Sequence, residues 1–119
     1  MAVQRLHVEK RFSEIAISGN LVHLAGQLAS DTTLDIKGQT RQTLNIIDRL
    51  LADAGTDKSQ IMSVTIYLKD IENDYTAMNE IWDAWVADIE ALPRTCVEAK
   101  LYAPDVLVEM TVIAVRASN

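Results

Sequence analysis

The chain is expected to fold as one α+β domain, a β-sheet with two helices packed on one face. Three observations lead there. Residues 39–54 and 74–89 carry apolar side chains at helical spacing, and shorter runs show the alternation or β-branched content of strands. These segments follow one another in the order β-β-α-β-α-β-β. With 119 residues, 49% of them hydrophobic, the chain suffices for one core, and no linker or low-complexity tract divides it.

The opening segment Arg5-Leu6-His7-Val8 is a short apolar run. Ile15-Ala16-Ile17-Ser18 and Leu21-Val22-His23-Leu24-Ala25 flank Gly19-Asn20 and read as a hairpin around a two-residue turn. Gly26-Gln27 then enters a polar loop that runs through Asp31, Thr32 and Thr33 to Gly38. In residues 39–54, Leu44, Ile47, Leu51 and Ala54 share one helical face. Gly55 supplies the stop, because glycine adopts the left-handed cap conformation without a Cβ penalty. Residues 61–68 alternate Met62, Val64, Ile66 and Leu68 against a more polar set, the pattern of a strand. The second helix, 74–89, bears Tyr75, Met78, Trp82, Trp85, Val86 and Ile89 on an apolar stripe. Pro93 separates it from two final strands, 94–101 and 106–115.

The last of these strands reads as buried on both faces, whereas two amphipathic helices on one side of a sheet cover only one face. A second copy of the chain is the expected cover, hence an obligate homo-oligomer. The net charge of −6 disfavours a surface that tracks phosphates, so no nucleic-acid partner is expected. One cysteine, Cys96, allows no intramolecular disulfide and fits a reducing cytoplasm. Without an apolar run long enough to span a bilayer or an apolar secretory core at the N-terminus, a soluble cytoplasmic protein without a membrane partner is expected.

Glu109 interrupts the apolar final strand, and a carboxylate placed there needs either a compensating partner or a chemical task. Arg94, just after Pro93, is the expected cation, brought close if the last two strands are neighbours. Two readings of Arg94 stand side by side: a structural ion pair with Glu109 or Glu98, and a two-point grip on a small carboxylate ligand. Glu109 likewise reads as a paired core charge or as a general base that orients water. Cys96 reads as a buried, chemically passive thiol, since no histidine is near in sequence to act as its base. His7 and His23 lie on separate segments without ligand spacing, so no metal is expected. Trp82 and Trp85 read as helix core.

The motifs Ala25-Gly26-Gln27, Gln39-Thr40 through Leu44-Asn45, Ala54-Gly55, Val64-Thr65-Ile66-Tyr67-Leu68-Lys69-Asp70, Met78-Asn79, Pro93-Arg94-Thr95-Cys96-Val97-Glu98 and Val108-Glu109-Met110 together resemble the YjgF/RidA family of reactive-intermediate deaminases. The resemblance runs in order over nearly the whole chain. It implies a chorismate-mutase-like (YjgF-like) fold and a homotrimer whose sheets form a central barrel with clefts at the subunit interfaces. It also implies cofactor-free hydrolysis of 2-imino acids and their enamine tautomers, of the 2-aminoacrylate and 2-iminopropionate type, to 2-keto acids and ammonia.

Carried over by position, the resemblance gives Arg94 the substrate carboxylate and Glu109 the attacking water, with Asn79 and Cys96 lining or supporting the cleft. Phe12 stands where the family commonly has a tyrosine, and Ala25 where a serine is common, so a phenolic hydroxyl is missing from the implied substrate-binding set. Three alternatives remain open at this level: a non-catalytic carboxylate sensor or stabilising module, a pathway-specific deaminase of aminomuconate or aminoacrylate type, and ribonucleolytic activity, which the acidic charge opposes.

Overall fold

In the computed structural model, which describes residues 2–117, six strands form one mixed sheet: β1 (Gln4–Val8), β2 (Ser13–Ser18), β3 (Leu21–Gln27), β4 (Ile61–Leu68), β5 (Arg94–Glu98) and β6 (Val108–Val115). Their spatial order is β1-β2-β3-β6-β4-β5. Helices α1 (Ile36–Asp53) and α2 (Ile71–Trp85) precede β4 and β5 respectively. The expected order omitted β1, which pairs with β2 as an edge strand and is mostly exposed. A strand that buries so little leaves almost no hydrophobic alternation to read.

Both helices begin three residues earlier than their apolar stripes suggest. Asp35 accepts a hydrogen bond from the Gly38 N–H at 2.9 Å, and Asp70 accepts one from Asn73 N–H at 3.2 Å. These carboxylates satisfy amide groups that a helix leaves unpaired at its start. Gly55, at φ +83°, follows the first helix as expected, while the second ends at Trp85 and not at residue 89. The hairpin turns at Gly19, φ 62°, with Ser18 opposite Leu21.

Alternation in β4 and β6 divides the sheet into two unlike faces. Val64, Ile66 and Leu68 of β4, with Val108, Met110, Val112 and Ala114 of β6, are buried with Leu44, Ile47 and Leu51 of α1 and Met78 and Trp82 of α2. Thr65, Tyr67, Glu109, Thr111, Ile113 and Val115 point the other way and are only partly buried. Within the single chain the final strand is therefore enclosed on its helix-covered face only, as two amphipathic helices on one side of the sheet lead one to expect. Both helices lie on one side.

A correction concerns the last two strands, which are not neighbours. The crossover through α2 makes β5 parallel to β4, and β4 pairs antiparallel with β6 on its other edge. Arg94 sits opposite Val64 and Glu109 opposite Tyr67, so β4 lies between them. Two strand spacings and three residues along β4 set their Cα atoms roughly 14 Å apart. Because Val64 faces the helices and Tyr67 the open side, the two side chains also leave opposite faces of the sheet. The expected ion pair between Arg94 and Glu109 does not form within one chain.

One buried polar residue fixes how β6 begins. The Gln39 side-chain nitrogen lies between 2.9 and 3.2 Å from the carbonyl oxygens of Thr32, Leu34 and Asp105, and its Oε1 accepts from Leu107 N–H at 3.0 Å. With no solvent exposure, Gln39 ties the loop after β3 to the segment that delivers Glu109. Backbone groups buried there would otherwise lack partners.

Candidate functional site

Arg94 opens β5 at the edge of the sheet, and its register with Val64 turns it toward α2. Its Nη2 donates to the Tyr75 hydroxyl oxygen at 3.2 Å. The guanidinium carbon lies 5.8 Å from the Tyr75 ring centroid and 5.2 Å from that of Trp82, both within cation–π range. Among the described residues, no carboxylate lies within 4.0 Å of Arg94. Glu98, the other expected partner, instead accepts from the Ile71 N–H at 3.2 Å at the start of α2. The guanidinium is therefore braced by aromatic faces yet keeps its charge available.

Cys96 follows on the same face, in register with Ile66, and packs against the core. Burial pushes its thiol pKa up, and the Arg94 charge opposes that shift. It is accordingly a weak nucleophile at neutral pH. Asn79 lies one turn along α2 from Tyr75, and its Oδ1 is buried without a hydrogen-bond partner among the described residues. Trp82 is core, as expected, and braces Arg94 as well.

Glu109 occupies the open face, and its side chain lies across Gly26. A Cβ added to Gly26 would meet Glu109 Cγ at 3.4 Å, Cδ at 3.0 Å and Oε2 at 2.1 Å, so only glycine leaves room for this rotamer. Gly26 reaches that position through an irregularity in the β3–β6 pairing between Leu24 and Gln27. Phe12, 53% exposed, sits in the β1–β2 connection, closed by Glu9 N–H donating to Phe12 O at 2.8 Å. It lines a groove of about 420 Å³ with Glu14, Arg49 and the His7–Asp53 pair. Four strand spacings, roughly 19 Å, separate β2 from β5.

One chain thus gathers Arg94, Cys96 and Asn79 near α2 and places Glu109 and Phe12 elsewhere. Sequence reasoning missed Tyr75 and Gly26 as parts of these arrangements. Tyr75 had a signal, being a phenol one helical turn before Asn79, but it was absorbed into the apolar stripe.

The family model described as Endoribonuclease L-PSP matches residues 2–116. The chain belongs to this family, the YjgF/RidA/RutC proteins. A RutC family protein of Haemophilus ducreyi is 44% identical over 112 residues, covering 94% of this chain and 95% of that one. The RutC family protein YoaB of Escherichia coli K12 is 38% identical over 114 residues, 96% of this chain and 98% of its own. A solved YjgF-family structure from Neisseria meningitidis superposes with a TM-score of 0.94 at 36% identity, covering 100% of this chain and 98% of that one. The two-helix, six-strand architecture is the YjgF fold, as the motif resemblance implies.

Proposed function

We propose that this YjgF/RidA/RutC protein is a cofactor-free imine hydrolase that converts small 2-imino acids, and enamines after tautomerisation, to 2-keto acids and ammonia. The observation that carries this reading is the state of Arg94: a partly exposed guanidinium, held by Tyr75 and Trp82, with no carboxylate partner among the described residues. A cation kept in that condition matches the two-point binding of a carboxylate ligand.

In this reading the working site lies between copies of the chain in a homotrimer. Arg94 and Glu109 leave opposite faces of their own sheet, so a second copy must bring its Glu109 to the first copy's Arg94. The partly apolar open face, with Ile113 and Val115 beside Glu109, is the surface such an assembly would cover.

The chemistry asks little of the protein. An iminium carbon is already electrophilic, and anchoring the adjacent carboxylate on Arg94 turns a bimolecular encounter into an oriented one. Glu109 orients a water and accepts its proton as the oxygen bonds to C2. Glu109 returns that proton to the amine nitrogen, and the carbinolamine expels ammonia as the C2–O double bond forms and its hydroxyl proton passes back to Glu109. Cys96, with its raised pKa, remains a thiol that helps shape the cleft, and Asn79, one turn along α2 from Tyr75, supports its wall. Phe12 would present a ring without a hydroxyl.

The test generates imino acids in situ with an amino-acid oxidase and measures ammonia release against semicarbazide trapping. The parent protein should accelerate hydrolysis, and Arg94→Ala should raise KM sharply and lower kcat/KM. A folded Arg94→Ala variant with the parent's kcat/KM would refute the role. Pyruvate binding without any imine hydrolysis would instead make the protein a carboxylate sensor.

A further inference from the structure

Tyr75 does more in this arrangement than pad the guanidinium. Its hydroxyl oxygen accepts a hydrogen bond from Arg94 Nη2 at 3.2 Å, which leaves the phenolic proton to be donated elsewhere. Among the described residues that proton has no acceptor, and the side chain is 41% exposed. An exposed phenol normally gives its proton to water, and an anion arriving at the guanidinium would take the place of that water.

We infer that Tyr75 is the second donor of the carboxylate-binding site, so that a 2-imino or 2-keto acid is held jointly by the Arg94 guanidinium and the Tyr75 hydroxyl. The inference rests on the proposed imino-acid reading of Arg94 and adds a residue to it. Geometry supports the pairing in three ways. The same phenol both orients the guanidinium and stands beside it, so its proton and the free guanidinium N–H groups serve a single ligand oxygen shell. The ring and that of Trp82 both lie within cation–π range of Arg94, which limits where the fork can point. Finally, Asp70 caps α2 through Asn73, so Tyr75 sits in the second turn of a fixed helix and not on a loop.

This donor also bears on Phe12. Position 12 offers no hydroxyl, and Tyr75 provides one at the opposite sheet edge, beside the cation. The hydroxyl thus acts on the ligand's anionic end, leaving water activation to Glu109.

Tyr75→Phe separates ring from hydroxyl, since it keeps the aromatic surface and removes only the donor. With an imino acid generated in situ, the variant should show KM raised roughly tenfold, as expected for loss of one hydrogen bond to a charged group, and kcat within about twofold of the parent. Calorimetric titration with pyruvate should show the same roughly tenfold weakening. Arg94→Ala, measured in parallel, should weaken both further. Unchanged KM and pyruvate affinity in Tyr75→Phe, alongside their loss in Arg94→Ala, would overturn the role of Tyr75 and leave the imino-acid reading standing. A fall in kcat at unchanged KM would also overturn it, because the hydroxyl would then act at the reacting carbon. If neither variant alters pyruvate binding or KM, both this inference and the proposed function fail.

Discussion

The Glu109 carboxylate rests where the β-carbon of any other residue at position 26 would stand, with Oε2 2.1 Å from that point. Gly26→Ala must therefore push Glu109 out of its seat or shift β3. Because the nearest atom met is the far end of a flexible, half-buried side chain, the stability cost sits at or below the low end of the roughly 1–3 kcal/mol that core overpacking brings. Imine hydrolysis should fall at least roughly tenfold, the loss lying mainly in kcat, because a misdirected carboxylate no longer holds the water. Comparing melting temperatures in a double-mutant cycle isolates the contact: Gly26→Ala should cost much less stability in a Glu109→Ala background. Equal costs in both backgrounds would show that the two residues do not collide.

Gln39 is expected to be intolerant of apolar replacement. Gln39→Leu keeps the size but strips partners from the Leu107 N–H and from up to three carbonyls. Each buried group left unpaired costs about 1–3 kcal/mol, so a total loss of about 3 kcal/mol or more is predicted. Thermal unfolding checks the stability. Because the Asp105–Leu107 segment leads into β6, residual activity should fall more than the folded fraction does.

Cys96 supplies a pH-dependent probe of Arg94. Burial raises its pKa and the guanidinium lowers it, so alkylation by iodoacetamide at pH 8 should be slower than that of a free cysteine. The rate should keep climbing with pH after a free thiol has levelled off. Arg94→Ala removes the lowering influence and should move the curve to still higher pH. The sign for stability follows: the folded chain holds a proton that the unfolded chain releases sooner, so this contribution shrinks as pH rises past the ordinary thiol value. A thiol alkylated at free-cysteine rates at pH 7 would contradict the assignment.

Local periodicity carried much of the fold. Leu44, Ile47 and Leu51 mark the buried stripe of α1, and the alternation of β4 is read correctly from Val64 to Leu68. The termini of both helices were missed because their caps, Asp35 and Asp70, lie outside any apolar stripe. Strand adjacency was not legible: nothing in Arg94–Glu98 says that β4, reached through a parallel crossover, will stand between it and β6. That long-range fact separates Arg94 from Glu109. Gln39, Gly26 and Tyr75 escaped notice for a related reason, since each matters through a contact distant in the chain: the Asp105–Leu107 segment, Glu109 and Arg94. The motifs around Arg94 and Glu109 nevertheless pointed to the right family.

The central claim is that Arg94 of one copy works with Glu109 of another, and complementation between impaired variants tests it most directly. Arg94→Ala and Glu109→Ala chains, each strongly impaired alone at substrate concentrations below the parent's KM, are co-expressed and isolated as mixed trimers. If the site spans two copies, every mixed trimer, whichever variant supplies two of its chains, holds both residues in one of its three clefts, and imine hydrolysis should recover to about a third of the parent's rate. Verified mixed trimers with no more activity than the average of the two single variants would contradict a shared site.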